Sequence, residues 1–179
     1  MAALIEAARE PDYPAEIVLV LSNVPGAGGL ARAEAEGIAT ATVDHRAFGR
    51  DREAFERAVQ AVLEAHAIDI VCLAGFMRIL TPWFVARWEG RMINIHPALL
   101  PAYKGLDTHA RALADGATEH GATVHFVTPG MDEGETILQE AVPVLPGDTA
   151  ESLARRVLEV EHRIYPQALR MIATEYRLL

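Results

Sequence analysis

Asn94 and His96 stand two residues apart at the end of an apolar run carrying Met92, Ile93 and Ile95, and Pro97 follows at once. In an extended chain residues i and i+2 point to the same side, so this spacing sets a carboxamide beside an imidazole. Proline has no N–H to give a sheet ladder, so Pro97 ends the strand and leaves the pair where a sheet opens into a loop. Asp132 is a candidate to orient the imidazole. An amide donor, a titratable base and a carboxylate are the parts needed to move an acyl group between amines. The same spacing also fits a plainer role, a solvated histidine satisfied by a nearby turn.

The elements that must position these groups alternate between strand and helix. Met1 to Glu10 reads as a helix stopped by Pro11, and Ile17 to Leu21 (IVLVL) as a strand buried on both faces. The Gly-rich stretch Pro25 to Gly29 leads into a helix closed by Gly37, followed by a strand over Ile38 to Val43. Asp51 caps a helix with apolar positions Phe55, Val59, Val62 and Leu63, and Ile68 to Leu73 forms the next strand. Thr81-Pro82 starts a helix running to Glu89-Gly90, ahead of the strand Met92 to Ile95. A short helix over Thr108–Asp115, strands over Thr123–Val127 and Thr136–Val144, and a long helix from Asp148, kinked by Pro166, complete the pattern. Such alternation predicts an α/β fold of three layers, a mostly parallel sheet with helices on both faces. Ligands of open α/β sheets bind at the carboxyl ends of strands, which draws Ser22–Asn23, Gly75–Leu80 and Asn94–His96 to one cleft.

Composition narrows the class. At 179 residues, 51% of them hydrophobic, the chain reads as one domain with ample core. Its one cysteine, Cys72, lies in an apolar run, which leaves no disulfide framework and no cysteine-based zinc motif. No stretch approaches the roughly 18 apolar residues of a membrane span, and no signal segment precedes Pro11, so the expectation is a cytoplasmic protein without a membrane partner. A net charge of −9 with Lys104 the only lysine argues against nucleic acid as a partner, since phosphate backbones demand clustered basic residues. Gly26, Gly28 and Gly29 do not make a GxGxxG fingerprint, which speaks against a nicotinamide cofactor. Of seven histidines, four lie between positions 96 and 125, but no helical HxxxH pair occurs, and no metal is expected. His109 and His125 read instead as neutral hydrogen-bonding braces of the site.

Taken together, Ala74-Gly75-Phe76-Met77-Arg78-Ile79-Leu80, Asn94-Ile95-His96-Pro97-Ala98-Leu99-Leu100-Pro101, Lys104-Gly105-Leu106-Asp107-Thr108-His109 and Gly121-Ala122-Thr123-Val124-His125-Phe126-Val127 closely resemble the phosphoribosylglycinamide formyltransferases. These are folate-dependent enzymes of purine synthesis, and the similarity continues through Glu161-His162 and Tyr165-Pro166. The resemblance implies a Rossmann-like formyltransferase domain over residues 1–179 that moves the formyl group of 10-formyltetrahydrofolate to the amine of glycinamide ribonucleotide. It implies catalytic roles for Asn94, for a protonated His96 and for Asp132, which holds the imidazole. Folate contacts carry over to Arg52, Met77, Arg78, Ile79, Leu80 and Asn94, and to Thr128, Pro129, Gly130, Met131 and Asp132. Contacts to the nucleotide substrate carry over to Leu158, Glu159, Val160 and Glu161. Without the resemblance, Arg52 reads as the surface ion-pair partner of Glu56 four residues on.

One departure stands at the front. Members of that family begin with an apolar strand and a Gly-rich phosphate-binding loop, whereas Met1-Ala2-Ala3-Leu4-Ile5 already matches the helix that follows. By that analogy a strand is missing between the strands at Ile17–Leu21 and Ile70–Leu73. A folate-binding module that has lost nucleotide phosphate binding, or a formyltransferase acting on another amine, is the alternative expectation.

Overall fold

The computed structural model describes residues 1–176. Its elements run α1 (Ala2–Ala7), β1 (Leu19–Ser22), α2 (Gly28–Ala35), β2 (Ala39–Thr42), a 3-10 turn (His45–Phe48), α3 (Arg52–Ala65), β3 (Val71–Leu73) and α4 (Pro82–Arg87). There follow β4 (Met92–His96), α5 (Thr108–Ala114), β5 (Glu119–Phe126), β6 (Thr136–Pro143) and α6 (Ala150–Tyr176). The punctuation is chemical. Asp51 accepts the Ala54 N–H at 2.9 Å to open α3, and Thr81 accepts the Phe84 N–H at 3.4 Å to open α4, with Pro82 at its first position. Gly37, at φ 75°, turns the chain off the end of α2.

β1 and β2 pair in parallel, as do β3 and β4, through helical crossovers. β5 is antiparallel to β4 and β6 to β5, so the two parallel pairs lie among the first four strands. On one face Ile93, Ala122 and Val124 pack against Leu153, Val157 and Leu169 of α6. On the other, Met92 packs against Phe55 and Val59 of α3 and Phe84 and Val85 of α4. α6 runs through Pro166 as one helix of 27 residues. Among the described residues no helix is long and apolar enough to cross a membrane.

Strand order exposes a break. β1–β2 forms one sheet and β3-β4-β5-β6 another, and β1 and β3 do not pair. Between them lies a cavity of about 740 Å³ lined by Leu19, Leu21, Val71 and Leu73, with Met1 and Ile5 at its side. The strand expected over Ile17–Leu21 is therefore not buried on both faces: none of Leu19 to Ser22 is buried, and Val18 is 40% exposed. An apolar strand with a neighbour on one edge only, and a cavity along the other, cannot bury its side chains however suitable they are.

Candidate active site

The register of β4 against β5 builds the site. Asn94 faces His125 and His96 faces Thr123, so the pleat collects four polar side chains on one face. Ile93, Ile95 and Val124 turn to the other face and join the core beneath. Thr123 locks the strand end: its hydroxyl donates to the Ala98 carbonyl at 2.6 Å and accepts the Leu100 N–H at 3.1 Å. The loop after β4 thus leaves at a fixed angle.

His96 is only 5% exposed, which removes the reading of a solvated strand-end histidine. Its Nε2 lies 2.9 Å from the Tyr103 carbonyl, an acceptor only, so this nitrogen carries a hydrogen and donates it. The other nitrogen, Nδ1, lies 3.4 Å from Asp132 Oδ2. Asp132 is aimed by the Gly105 N–H, which donates to Oδ2 at 2.9 Å, and by a left-handed backbone at φ 52°. With Nε2 tied to the main chain, Nδ1 is the nitrogen left to serve both the carboxylate and the cleft. The expected convergence of Asn94, His96 and Asp132 is present, with His125 as the link. Its Nε2 is 3.4 Å from Asn94 Nδ2 and 3.6 Å from Asp132 Oδ1.

His125 has polar partners at both ring nitrogens. Its Nδ1 donates to the Phe126 carbonyl at 2.8 Å, and burial depresses its pKa. A signal was present in the sequence, because Thr123 and His125 are the polar alternates in the strand Ala122–Phe126. His109 differs from expectation. Among the described residues its buried Nδ1 has no hydrogen-bond partner, and the ring packs edge-to-face on His120 at 5.1 Å. Burial, with His109 nearby, holds His120 down to about 4. Among the described residues no group of three or more His, Cys, Asp or Glu is placed to hold a metal ion.

Two loops rim the site with apolar surface. After β3, Met77 and Ile79 stand 78% and 59% exposed, Leu80 is half-buried, and Arg78 lies over the Phe55 ring at 5.5 Å. The far end of that loop is pinned by Glu56, a buried carboxylate that accepts the Thr81 N–H at 2.8 Å and the Thr81 hydroxyl. Glu56 is thus not a surface partner for Arg52, which is exposed at the start of α3. After β5, Thr128 and Gly130 are half-buried and Pro129 and Met131 exposed, and Glu133 meets Lys104 across the loops at 3.0 Å. Gly134 lets this loop return, since a Cβ there would fall 1.7 Å from the Phe126 carbonyl oxygen.

On α6 the four proposed nucleotide contacts point in different directions. Leu158 and Glu159 are exposed, and Val160 is part of the core and offers no side chain to a ligand. Glu161 is half-buried near the Met1 amine, and burial pushes its carboxyl up. One turn later the Tyr165 hydroxyl donates to the Leu73 carbonyl at 2.6 Å, which ties this stretch of α6 to the end of β3.

The profile of the family described as "Formyl transferase" matches residues 1–169. The chain is 51% identical over 172 residues to the trifunctional purine biosynthetic protein adenosine-3 of Bos taurus, covering 96% of this chain and 17% of that protein. It is 46% identical to the phosphoribosylglycinamide formyltransferase of Escherichia coli K12, covering 96% of this chain and 80% of the relative. Its fold is similar to the crystal structure of phosphoribosylglycinamide formyltransferase from Brucella melitensis, with a TM-score of 0.91, 55% identity and coverage of 96% and 88%. The glycinamide ribonucleotide transformylase 1 of Symbiobacterium toebii gives a TM-score of 0.93 at 45% identity, with coverage of 97% and 81%.

Proposed function

The chain belongs to the formyl transferase family, and we propose that it transfers the formyl group of 10-formyltetrahydrofolate to the primary amine of 5-phosphoribosylglycinamide, a step of purine synthesis. The observation that carries the reading is the polar face of β4–β5, where Asn94, His96 and His125 meet under Asp132.

The amine nitrogen attacks the formyl carbon, a C–N bond forms, and negative charge collects on the formyl oxygen. Asn94 Nδ2 and the Nδ1–H of His96 supply donors to that oxygen, and one such preorganised donor is worth about 3–4 kcal/mol in comparable acyl transfers. Collapse of the intermediate breaks the bond to N10, which takes up a proton from His96, and the proton shed by the attacking amine passes through water near Asp132 to restore the imidazolium. His96 Nδ1 is the group placed to deliver the proton to N10, and Asp132, 3.4 Å away, stabilises the imidazolium.

The folate lies between the Met77–Leu80 and Thr128–Asp132 loops, where Met77, Ile79 and Met131 offer exposed apolar surface to a flat ring. Arg52, exposed at the start of α3, meets a carboxylate of its tail. Glu161 accepts hydrogen bonds from ribose hydroxyls. The catalytic unit is a single domain whose sheet is completed by one further strand between β1 and β3, and the cavity there supports that reading. Its partners are small molecules, and its setting is the cytoplasm.

The test is direct. The protein is incubated with 10-formyltetrahydrofolate and glycinamide ribonucleotide, and tetrahydrofolate release and formylated product are followed. Formylation of this amine in preference to glycine, methionine and other primary amines is the expected result. Folate binding without transfer would replace the reading with a regulatory module, and transfer to a different amine would replace the substrate.

A further inference from the structure

We infer that His125 is a positioning residue for formyl transfer: its neutral Nε2 lone pair fixes which end of the Asn94 carboxamide faces the cleft. The inference rests on the proposed transferase reading and gives a role to a residue that takes no part in the steps of that reading. Register puts Asn94 and His125 directly opposite each other on β4 and β5, so their side chains share one face at close range. The tautomer of His125 follows from its other contact. Nδ1 lies 2.8 Å from the Phe126 carbonyl, which can only accept, so the ring hydrogen sits on Nδ1. His125 is 3% exposed, and burial disfavours a second proton. Nε2 is therefore an acceptor.

That acceptor faces Asn94 Nδ2 at 3.4 Å. Turned by 180°, the carboxamide would set its oxygen against the Nε2 lone pair, two acceptors in contact, and would present a carbonyl to the oxygen that gains charge. With the amide held as it is, one N–H goes to His125 and the other stays free for the cleft. The catalytic donor is thus specified by a chain of contacts from the Phe126 carbonyl through an imidazole to an amide. Asp132 Oδ1, 3.6 Å from Nε2, is itself an acceptor and cannot serve as partner for that lone pair.

The inference is tested with His125→Leu and His125→Gln, because the glutamine Oε1 reaches the place of Nε2 and accepts a hydrogen bond. His125→Leu is expected to lower kcat about 100-fold, within the range for loss of one oxyanion donor, with both KM values moving less than about three-fold. His125→Gln is expected to recover most of that loss. In an Asn94→Ala background His125→Leu should cost less than about two-fold further, because the group it orients is gone. Equal losses in both backgrounds, or a glutamine variant as slow as leucine, would overturn the inference while leaving the transferase reading intact. A readout that does not require turnover is the nitrogen spectrum of labelled histidine in the intact chain. The Nδ1–H tautomer of His125, with a slowly rotating Asn94 side-chain amide, is expected, and an Nε2–H tautomer or an imidazolium at neutral pH refutes the inference. If the chain transfers no formyl group, the transferase reading fails and this spectrum still decides the orientation.

Discussion

β1 and β4 are both short apolar strands, yet one lies in a half-open sheet and the other is among the best-buried segments of the chain. β4 has a neighbour on each side, and its own residues Met92 and Ile93 are fully buried, one on each face. β1 has β2 on one edge and a cavity of about 740 Å³ on the other, and no residue of Leu19 to Ser22 is buried. The difference teaches that an apolar strand sequence specifies a preference, whereas its burial is conferred by the strands on either side. The polar face that carries the chemistry was built on the well-flanked pair, where its geometry is held from both edges.

The largest contrast is expected in hydrogen exchange. Amides of β1 and β3 that point into the cavity should exchange at least about 1,000-fold faster than those paired between β4 and β5, since the latter open only with most of the domain. Comparable protection on both sides would abolish the comparison. An extended aliphatic peptide of four to five residues is expected to slow exchange at β1 and β3 alone. A strand takes up about 3.3 Å along its axis, 4.8 Å across and roughly 10 Å through the sheet, or about 160 Å³ per residue.

Next in size is the chemistry. Asn94→Ala should lower kcat by about 100- to 1,000-fold, some 3–4 kcal/mol, with folate affinity falling by a much smaller factor. His96→Ala should do at least as much. A cavity-side change such as Leu21→Ala, of a half-buried residue, should leave turnover within a few-fold, and a large loss there would join the two regions catalytically.

Acid should separate the halves further. His109, His120 and His125 all have folded pKa values below the ordinary histidine value, chiefly through burial, and all belong to the β4–β5 half. A depressed histidine pKa means the unfolded chain binds protons that the folded one does not, so their contribution is intact above about pH 6.5 and falls as pH drops toward the folded value. For His120, held down to about 4, the loss approaches about 3 kcal/mol by pH 4, at roughly 1.4 kcal/mol per pH unit. Denaturant midpoints between pH 7 and 4 check this, and His120→Leu should flatten the curve.

The remaining contrast is one of packing. Ile93→Ala, beside α6, should cost about 2–5 kcal/mol, while Leu21→Ala should cost about 1 kcal/mol because its surroundings already hold empty space. Equal costs by chemical denaturation would mean that the cavity closes in solution.

Much of this was legible in the sequence. Caps at Asp51 and Thr81, the turn at Gly37 and the strand ending before Pro97 follow from local chemistry, and they appear where expected. Asn94, His96 and Asp132 could be brought forward as candidates because residue type and spacing suit acyl transfer, while their roles came only with the family resemblance. What could not be read was pairing. The register that sets His125 against Asn94, the Tyr103 carbonyl that occupies His96 Nε2, and the burial of Glu56 against Thr81 depend on segments 7 to 31 residues apart meeting in space. The antiparallel addition of β5 and β6 belongs to the same class. Strand–helix alternation dictates parallel neighbours only while each crossover returns the chain to the same end of the sheet.

The left-handed backbone at Asp132 narrows what variation can do at that position. With φ at 52°, a residue with an ordinary Cβ is strained by about 1–2 kcal/mol, and only glycine, asparagine and aspartate adopt the conformation readily. Of those three only aspartate carries a charge, so no second acid can take over: glutamate brings the carboxylate without the backbone, and asparagine the backbone without the carboxylate. Sequence drift at this position is closed on two independent counts. For the experimenter, Asp132→Asn isolates the charge, whereas Asp132→Ala mixes a lost carboxylate with a loop that no longer sits where Gly105 holds it.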